Sequence, residues 1–207
     1  VNPLTEHLGR AVVLRRSDVD TDQIIPAEYC KRLTKSGYAD ALFADWRTDP
    51  DFVLERRDSA GASILVAGHN FGTGSSREHA VWALRDWGFT VVVASSFGDI
   101  FRRNAFKNGL LAVELPAAAV TALAEAIEQD PGRQISVSLQ SCEIRTDTLR
   151  HTFVVDARAR ELLLNGWDEI AVTLERTDAI DAYERTRAYW LPQLSPSPPD
   201  LLSEARP

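Results

Sequence analysis

The sequence predicts an α/β fold, a mixed-sheet core with flanking helices and a small antiparallel meander. Three observations predict it. The apolar or β-branched runs Ser63–Ala67, Phe89–Ala94 and Leu110–Leu115 do not alternate, as expected of strands buried on both faces. Each is followed by a stretch that suits a helix, which is the strand–helix order of a partly parallel sheet. From Gln134 the pattern changes: Gln134–Leu139, Glu143–Thr146 and Arg150–Val155 alternate apolar and polar residues and read as the meander.

Taken in order, Ala11–Leu14 is the first strand, ended by Arg15 and Arg16. Ser17 to Pro26 is dense in turn formers and reads as a polar loop entering a short buried strand. Its aspartates at 18, 20 and 22 suggest a calcium loop, but Gln23-Ile24-Ile25 stands where that loop needs a glycine. Glu28 to Tyr38 is a basic loop, Ala39 to Trp46 a short helix, and Pro50 to Ala62 an irregular polar connection. A helix follows the central strand through Ala80–Trp87. Ser96 to Phe106 is the next, stopped near Asn108-Gly109. Pro116 opens an alanine-rich helix to Gln129. Ala157–Asn165 is closed by Gly166, and Asp178–Trp190 is a last amphipathic helix. One domain is therefore expected over 1–190, with a proline-rich, disordered tail over 191–207.

The bulk composition excludes several classes. A net charge of −7 argues against a nucleic-acid or anionic-membrane binder. An anionic ligand must then be met by local arginines. No run approaches the roughly 18 apolar residues of a membrane span. The start, Val1-Asn2-Pro3-Leu4-Thr5-Glu6, does not resemble a secretory signal. The two cysteines, Cys30 and Cys142, lie far apart, which suits a reducing cytoplasm and gives no disulfide framework. Two thiols are also too few for an ordinary iron–sulfur cluster, so a metal used by this protein is expected on another chain.

The stretch that carries chemistry is His69-Asn70-Phe71-Gly72-Thr73-Gly74-Ser75-Ser76-Arg77-Glu78-His79-Ala80, between the central strand and its helix. Ser75 and Glu78 have capping-box spacing, so the helix is expected to open near Ser75. The glycines permit a tight turn, and the amides of a first helical turn make a site for an anion. Arg77 in that first turn opposes the helix dipole, which makes sense if it faces a carboxylate or phosphate. The pattern is neither Gly-x-Ser-x-Gly nor a lysine-bearing phosphate loop. The local features alone leave open a capped helix with solvated serines and arginine.

Three motifs in order and spacing raise the signal: Asp18-Val19-Asp20-Thr21-Asp22-Gln23-Ile24-Ile25-Pro26, then Phe71 to Ala80, then Phe97-Gly98-Asp99-Ile100-Phe101 with Asn104 and Gly109-Leu110-Leu111. Together they resemble the small-subunit family of isopropylmalate dehydratase, within the aconitase superfamily, over about Gly9 to Tyr189. The resemblance implies a swivelling β/β/α domain, the detached counterpart of aconitase's last domain. It also implies a large-subunit partner bearing a [4Fe–4S] cluster, and isomerisation of a 2-substituted malate by loss and re-addition of water. It implies that Ser75 is the base, stabilised as an alkoxide by helix amides and Arg77, with Ser76 helping to hold substrate. It implies that Arg32 binds a substrate carboxylate, for which a guanidinium fork is suited, and that Asp22 belongs to the site. On local grounds Arg32 and Asp22 could equally be solvated loop charges.

One residue departs from the family pattern. Leucine usually follows the aromatic of the basic loop and is implied to meet the isopropyl group, whereas here Tyr29 is followed by Cys30. A methylene in a pocket wall changes discrimination by only about 1–3 kcal/mol, so the reaction class stands while the substrate stays open. The leading expectation is isomerisation of 2-isopropylmalate to 3-isopropylmalate, in leucine biosynthesis. The alternatives are a sister hydro-lyase for homoaconitate, methylmalate or another 2-substituted malate, and a non-catalytic anion-binding or regulatory module.

Overall fold

The computed structural model describes residues 2–188 and 190–192; the tail expected over 191–207 lies outside them from residue 193 onward. The chain divides into two units, Val1–Glu169 and Ile170–Pro207. In the first unit a seven-stranded sheet is built around β1 (Glu6–Leu14). The second half of β1, Ala11–Leu14, pairs in parallel with β2 (Ile64–Ala67). Parallel pairing continues to β3 (Val91–Ala94) and β4 (Leu111–Glu114). The first half of β1, Glu6–Arg10, pairs antiparallel with β5 (Gln134–Ser138), which β6 (Glu143–Arg145) and β7 (Arg150–Thr152) extend. The order is β4-β3-β2-β1-β5-β6-β7, so the expected meander joins the main sheet through one shared strand. The polar Glu6–Arg10 segment belongs to that strand because β5 supplies its ladder.

Alternation of side chains gives the sheet two apolar faces. Val12, Leu14, Leu65, Ala67, Val92 and Ala94 pack with α2 (Glu78–Trp87) and α3 (Asp99–Lys107). Ala11, Ile64, Val66, Val91, Val93 and Val113 pack with α4 (Ala117–Gln129) and with the meander residues Ile135 and Val137. Each such buried Val, Leu or Ile side chain stabilises the fold by about 1.5–3 kcal/mol relative to exposure. The C-terminal helix of this unit runs Ala157–Asn165, capped by Asp156 and closed by Gly166 at φ +67. Glu169–Leu174 is a short helix reaching into the second unit, which also holds Thr177–Thr186, shorter than the helix expected to Trp190.

Two local expectations are corrected. Ile24 and Ile25 do not form a strand: α1, the single turn Thr21–Ile24, is opened by a capping box between Asp20 and Gln23. No helix spans 39–46. A 3-10 turn at Ala39–Ala41 ends as Phe43 adopts φ +48, its amide donating to the Ile24 carbonyl at 2.8 Å. The Phe43 ring then stacks on Trp46 at 5.3 Å and meets Phe52 edge-on, so core packing overrides local helical preference.

Candidate active site

Three loops leave the carboxyl ends of adjacent parallel strands: Arg15–Asp20 after β1, Gly68–Arg77 after β2, and Ser95–Gly98 after β3. This is where open α/β sheets place their ligands. The loops are joined by backbone. Asp18 donates to the His69 carbonyl (2.9 Å), Gly72 to Val19 (2.7 Å), and Thr21 to Thr73 (3.0 Å). Phe71 donates to Ser96 and Gly98 donates to Phe71, so the third loop is tied to the second. Alternate residues Asn70, Gly72 and Gly74 are left-handed, at φ +56, +73 and +89. A side chain at Gly72 would run into the Phe101 ring, so glycine is required there for space as well as for φ.

This winding brings Ser75 and Ser76 to the surface. Both are exposed, and neither hydroxyl has a hydrogen-bond partner among the described residues. The Ser75 carbonyl is held instead, accepting from Thr21 Oγ1 at 3.0 Å. The expected capping box at Ser75 and Glu78 does not form. Helix α2 begins at Glu78, and Arg77 is its N-cap, extended at φ −127, ψ 103, with no side-chain cap. The double glycine turn keeps the chain out of helical conformation through Ser76, so the serines precede the helix.

Arg77 therefore points away from the helix and ion-pairs with Asp22, with 21% of its side chain exposed against 55% for Asp22. Asp22 sits in the first turn of α1. The three alternating aspartates thus do three jobs: Asp18 accepts from Asn70 Nδ2 at 2.8 Å, Asp20 caps α1, and Asp22 holds Arg77. Cys30 lies on the 3-10 turn Ala27–Lys31, half-buried against the core. Burial pushes its thiol up, opposed by the nearby charge of Arg77 and reinforced by that of Asp22. Cys30 thus lies near the ion pair of Arg77 and Asp22.

Arg32 stands apart from this cluster. Its partners are Asp40, the Gly37 carbonyl and the rings of Tyr29 and Tyr38. None belongs to the serine turn, yet the loop is anchored close to it. The buried Tyr38 ring meets His79 edge-on at 5.5 Å and Trp82 at 5.8 Å, both on α2 just past Arg77. The structure thus joins Asp22, Arg77 and Cys30 around the turn of Ser75 and Ser76, and sets Arg32 in a separate clamp on the same helix. Sequence reasoning missed Asp40 and Tyr38. Asp40 fell within an expected helix, and only its sign, opposite to that of the basic loop, could have marked it.

The thiols of this chain do not fit an iron–sulfur cluster. Cys30 is on the turn before Arg32 and Cys142 precedes β6, and the described residues hold no group of three His, Cys, Asp or Glu placed for a metal ion.

Comparison with known proteins identifies the surroundings of this turn. Residues 1–118 match the aconitase C-terminal domain family. The chain is 56% identical over 192 residues to the 3-isopropylmalate dehydratase small subunit of Acidothermus cellulolyticus, covering 93% of this chain and 98% of that protein. It is 53% identical over 189 residues to the protein of the same name from Streptomyces coelicolor, covering 91% and 96%. A solved structure of 3-isopropylmalate dehydratase from Methanocaldococcus jannaschii superposes with a TM-score of 0.64 at 29% identity, over 86% of this chain and 99% of that one.

Proposed function

The chain belongs to the small-subunit family of 3-isopropylmalate dehydratase, and from that premise we propose that it isomerises 2-isopropylmalate to 3-isopropylmalate through 2-isopropylmaleate, as one half of a two-chain hydro-lyase of leucine biosynthesis. The other half is a large subunit that holds a [4Fe–4S] cluster, in a cytoplasmic complex. The observation that carries this reading is a pair of exposed serine hydroxyls, without hydrogen-bond partners among the described residues, on a double-glycine turn beside an arginine held by a carboxylate.

The residues of this chain then act as follows. Ser75, as alkoxide, takes the proton from the carbon next to a carboxylate, leaving an electron pair that forms the alkene as the neighbouring hydroxyl departs. In the return step a hydroxyl adds to the carbon that lost the proton, and Ser75 delivers its proton to the carbon that lost the hydroxyl. Serine is a poor base in water, so the alkoxide must be stabilised in a closed site by Arg77 and Ser76. Helix amides take a smaller part than the sequence suggested, because α2 starts two residues later. Arg32 binds a substrate carboxylate, Asp22 keeps Arg77 in place, and Cys30 forms a wall for the 2-substituent.

Co-expression with a cluster-bearing large subunit, purification without oxygen and turnover of 3-isopropylmalate, followed as alkene absorbance, test the reading. Ser75→Ala should assemble normally and lose nearly all turnover. Normal turnover in that variant would overturn the assignment of the base. A second reading rests on Cys30, whose side chain is smaller than the family's usual leucine: a cluster-loaded complex that is silent on 3-isopropylmalate but active on a bulkier malate would establish a sister hydro-lyase. Inertness towards all of them would leave the anion-binding module.

A further inference from the structure

Arg32 has five N–H donors, and the loop that carries it uses three. Nη1 and Nη2 donate in parallel to Oδ1 and Oδ2 of Asp40 at 2.7 and 2.6 Å, and Nη1 also donates to the Gly37 carbonyl at 2.6 Å. The end of the guanidinium is thereby filled. Its Cζ lies over the Tyr29 ring, 4.9 Å from the centroid, and over the Tyr38 ring at 5.5 Å. What remains is the side edge, Nε–H with the outer Nη2–H, which has no acceptor among the described residues. Two parallel donors on one edge match the two oxygens of a carboxylate.

The clamp is itself fixed. Tyr38 is fully buried, its hydroxyl donates to the Thr34 carbonyl at 2.7 Å, and its amide donates to Asp86 on α2 at 2.9 Å. On either side of Asp40, the Ala39 carbonyl accepts from Arg47 at 3.1 Å and the Ala41 amide donates to the Tyr38 carbonyl at 3.0 Å. Asp40 is thus held by neighbours, although its own side chain is largely exposed.

We infer that Asp40 is a positioning residue: it occupies the end of the Arg32 guanidinium so that only the side edge is left to grip a substrate carboxylate. This rests on the proposed role of Arg32. Asp40 touches no substrate. Its effect is to remove the alternative orientations of a long side chain before binding, which lowers the ordering cost of the bound state. A loop carboxylate that occupied the arginine as a stand-in for substrate would act in the opposite direction, since substrate would have to displace it.

Steady-state kinetics of the cluster-loaded two-subunit enzyme with 3-isopropylmalate separate these roles. Asp40→Asn should raise KM about three- to tenfold with kcat within about twofold, and Asp40→Glu should restore part of the loss. Arg32→Gln should raise KM further, and adding Asp40→Asn to it should change nothing more, because Asp40 acts through Arg32. A lower KM in Asp40→Asn would make Asp40 a competitor and overturn the inference. So would an Asp40→Asn effect of equal size in both backgrounds, or an unchanged KM in Asp40→Asn while Arg32→Gln raises it. An unchanged KM in Arg32→Gln would overturn the carboxylate role of Arg32 itself, and the inference with it.

Discussion

Asp22→Asn distinguishes a residue that holds the arginine proposed to stabilise the alkoxide from one that holds the fold or the substrate. Asp22 is about half exposed, so its ion pair with Arg77 stabilises the protein as surface pairs do, by about 0.2–1 kcal/mol. For a chain of this size the melting temperature should fall by less than about 4 °C. Asparagine keeps an acceptor at the same place, and a neutral acceptor gives about half the strength of a charged one. What is lost is the fixed direction of a guanidinium that is itself 21% exposed and has no other ion-pair partner among the described residues. A misplacement of about 1 Å at a reacting group costs about a hundredfold, so kcat should fall about 10- to 100-fold. The assay is oxygen-free turnover of 3-isopropylmalate by the assembled complex, beside thermal unfolding of the isolated chain. Unchanged kcat would refute the positioning of Arg77 by Asp22. A raised KM at constant kcat would make Asp22 a direct substrate contact, and a melting loss beyond about 10 °C would make it a folding residue.

Gly72→Ala should destabilise the chain by about 2–4 kcal/mol, from a strained φ of +73 and the clash with Phe101, as read by denaturant unfolding; an unchanged midpoint would refute the close approach. Cys30→Leu should shift the ratio of kcat/KM between malates of smaller and larger 2-substituent about tenfold towards the smaller, and an unaltered ratio would remove Cys30 from the pocket wall. The Arg32 guanidinium holds the Asp40 carboxyl below its ordinary value of 3.8. A depressed carboxyl contributes stability that is present above the ordinary value and lost as pH falls through the folded one. Carbon-13 titration of Asp40 should therefore give a midpoint below 3.8 that returns towards it in Arg32→Gln; a midpoint at or above 3.8 in the unaltered protein would dissolve the clamp.

The parts of the fold legible in the sequence are those in which one residue type settles one local conformation. The uninterrupted run Val91–Ala94 can lie only in a sheet interior, and Gly166 after Ala157–Asn165 ends a helix whatever surrounds it. The missed parts depend on contacts distant in sequence. Glu6–Arg10 becomes strand because β5, some 130 residues on, pairs with it. Phe43 leaves the helical region because the Ile24 carbonyl and the Trp46 ring receive it. Within the site, the glycines at 72 and 74 announced a turn but not its length, and a capping pattern at Ser75 and Glu78 competes with the ladder to Val19 and Thr21. Arg77 was expected to face an anion. The one it faces here, Asp22, belongs to its own chain.

That pairing bears on why such a site needs a second chain. Ser75 and Ser76 are exposed, and an exposed serine hydroxyl is far too weak an acid to give up its proton near neutral pH. Its alkoxide becomes accessible only where water is excluded and a cation stands beside it, since the attraction between charges grows several-fold as the surroundings dry. Asp22 keeps the cation in place and also offsets part of its field at the turn. On the proposed reading, a covering surface would remove the water and admit the substrate, whose carboxylates Arg32 and Arg77 would meet. The isolated chain should therefore hold the serine as an ordinary, unreactive hydroxyl. An electrophile that captures alkoxides should label Ser75 in the assembled complex and not in the chain alone. Equal labelling of both would mean that the turn activates its serine without any partner.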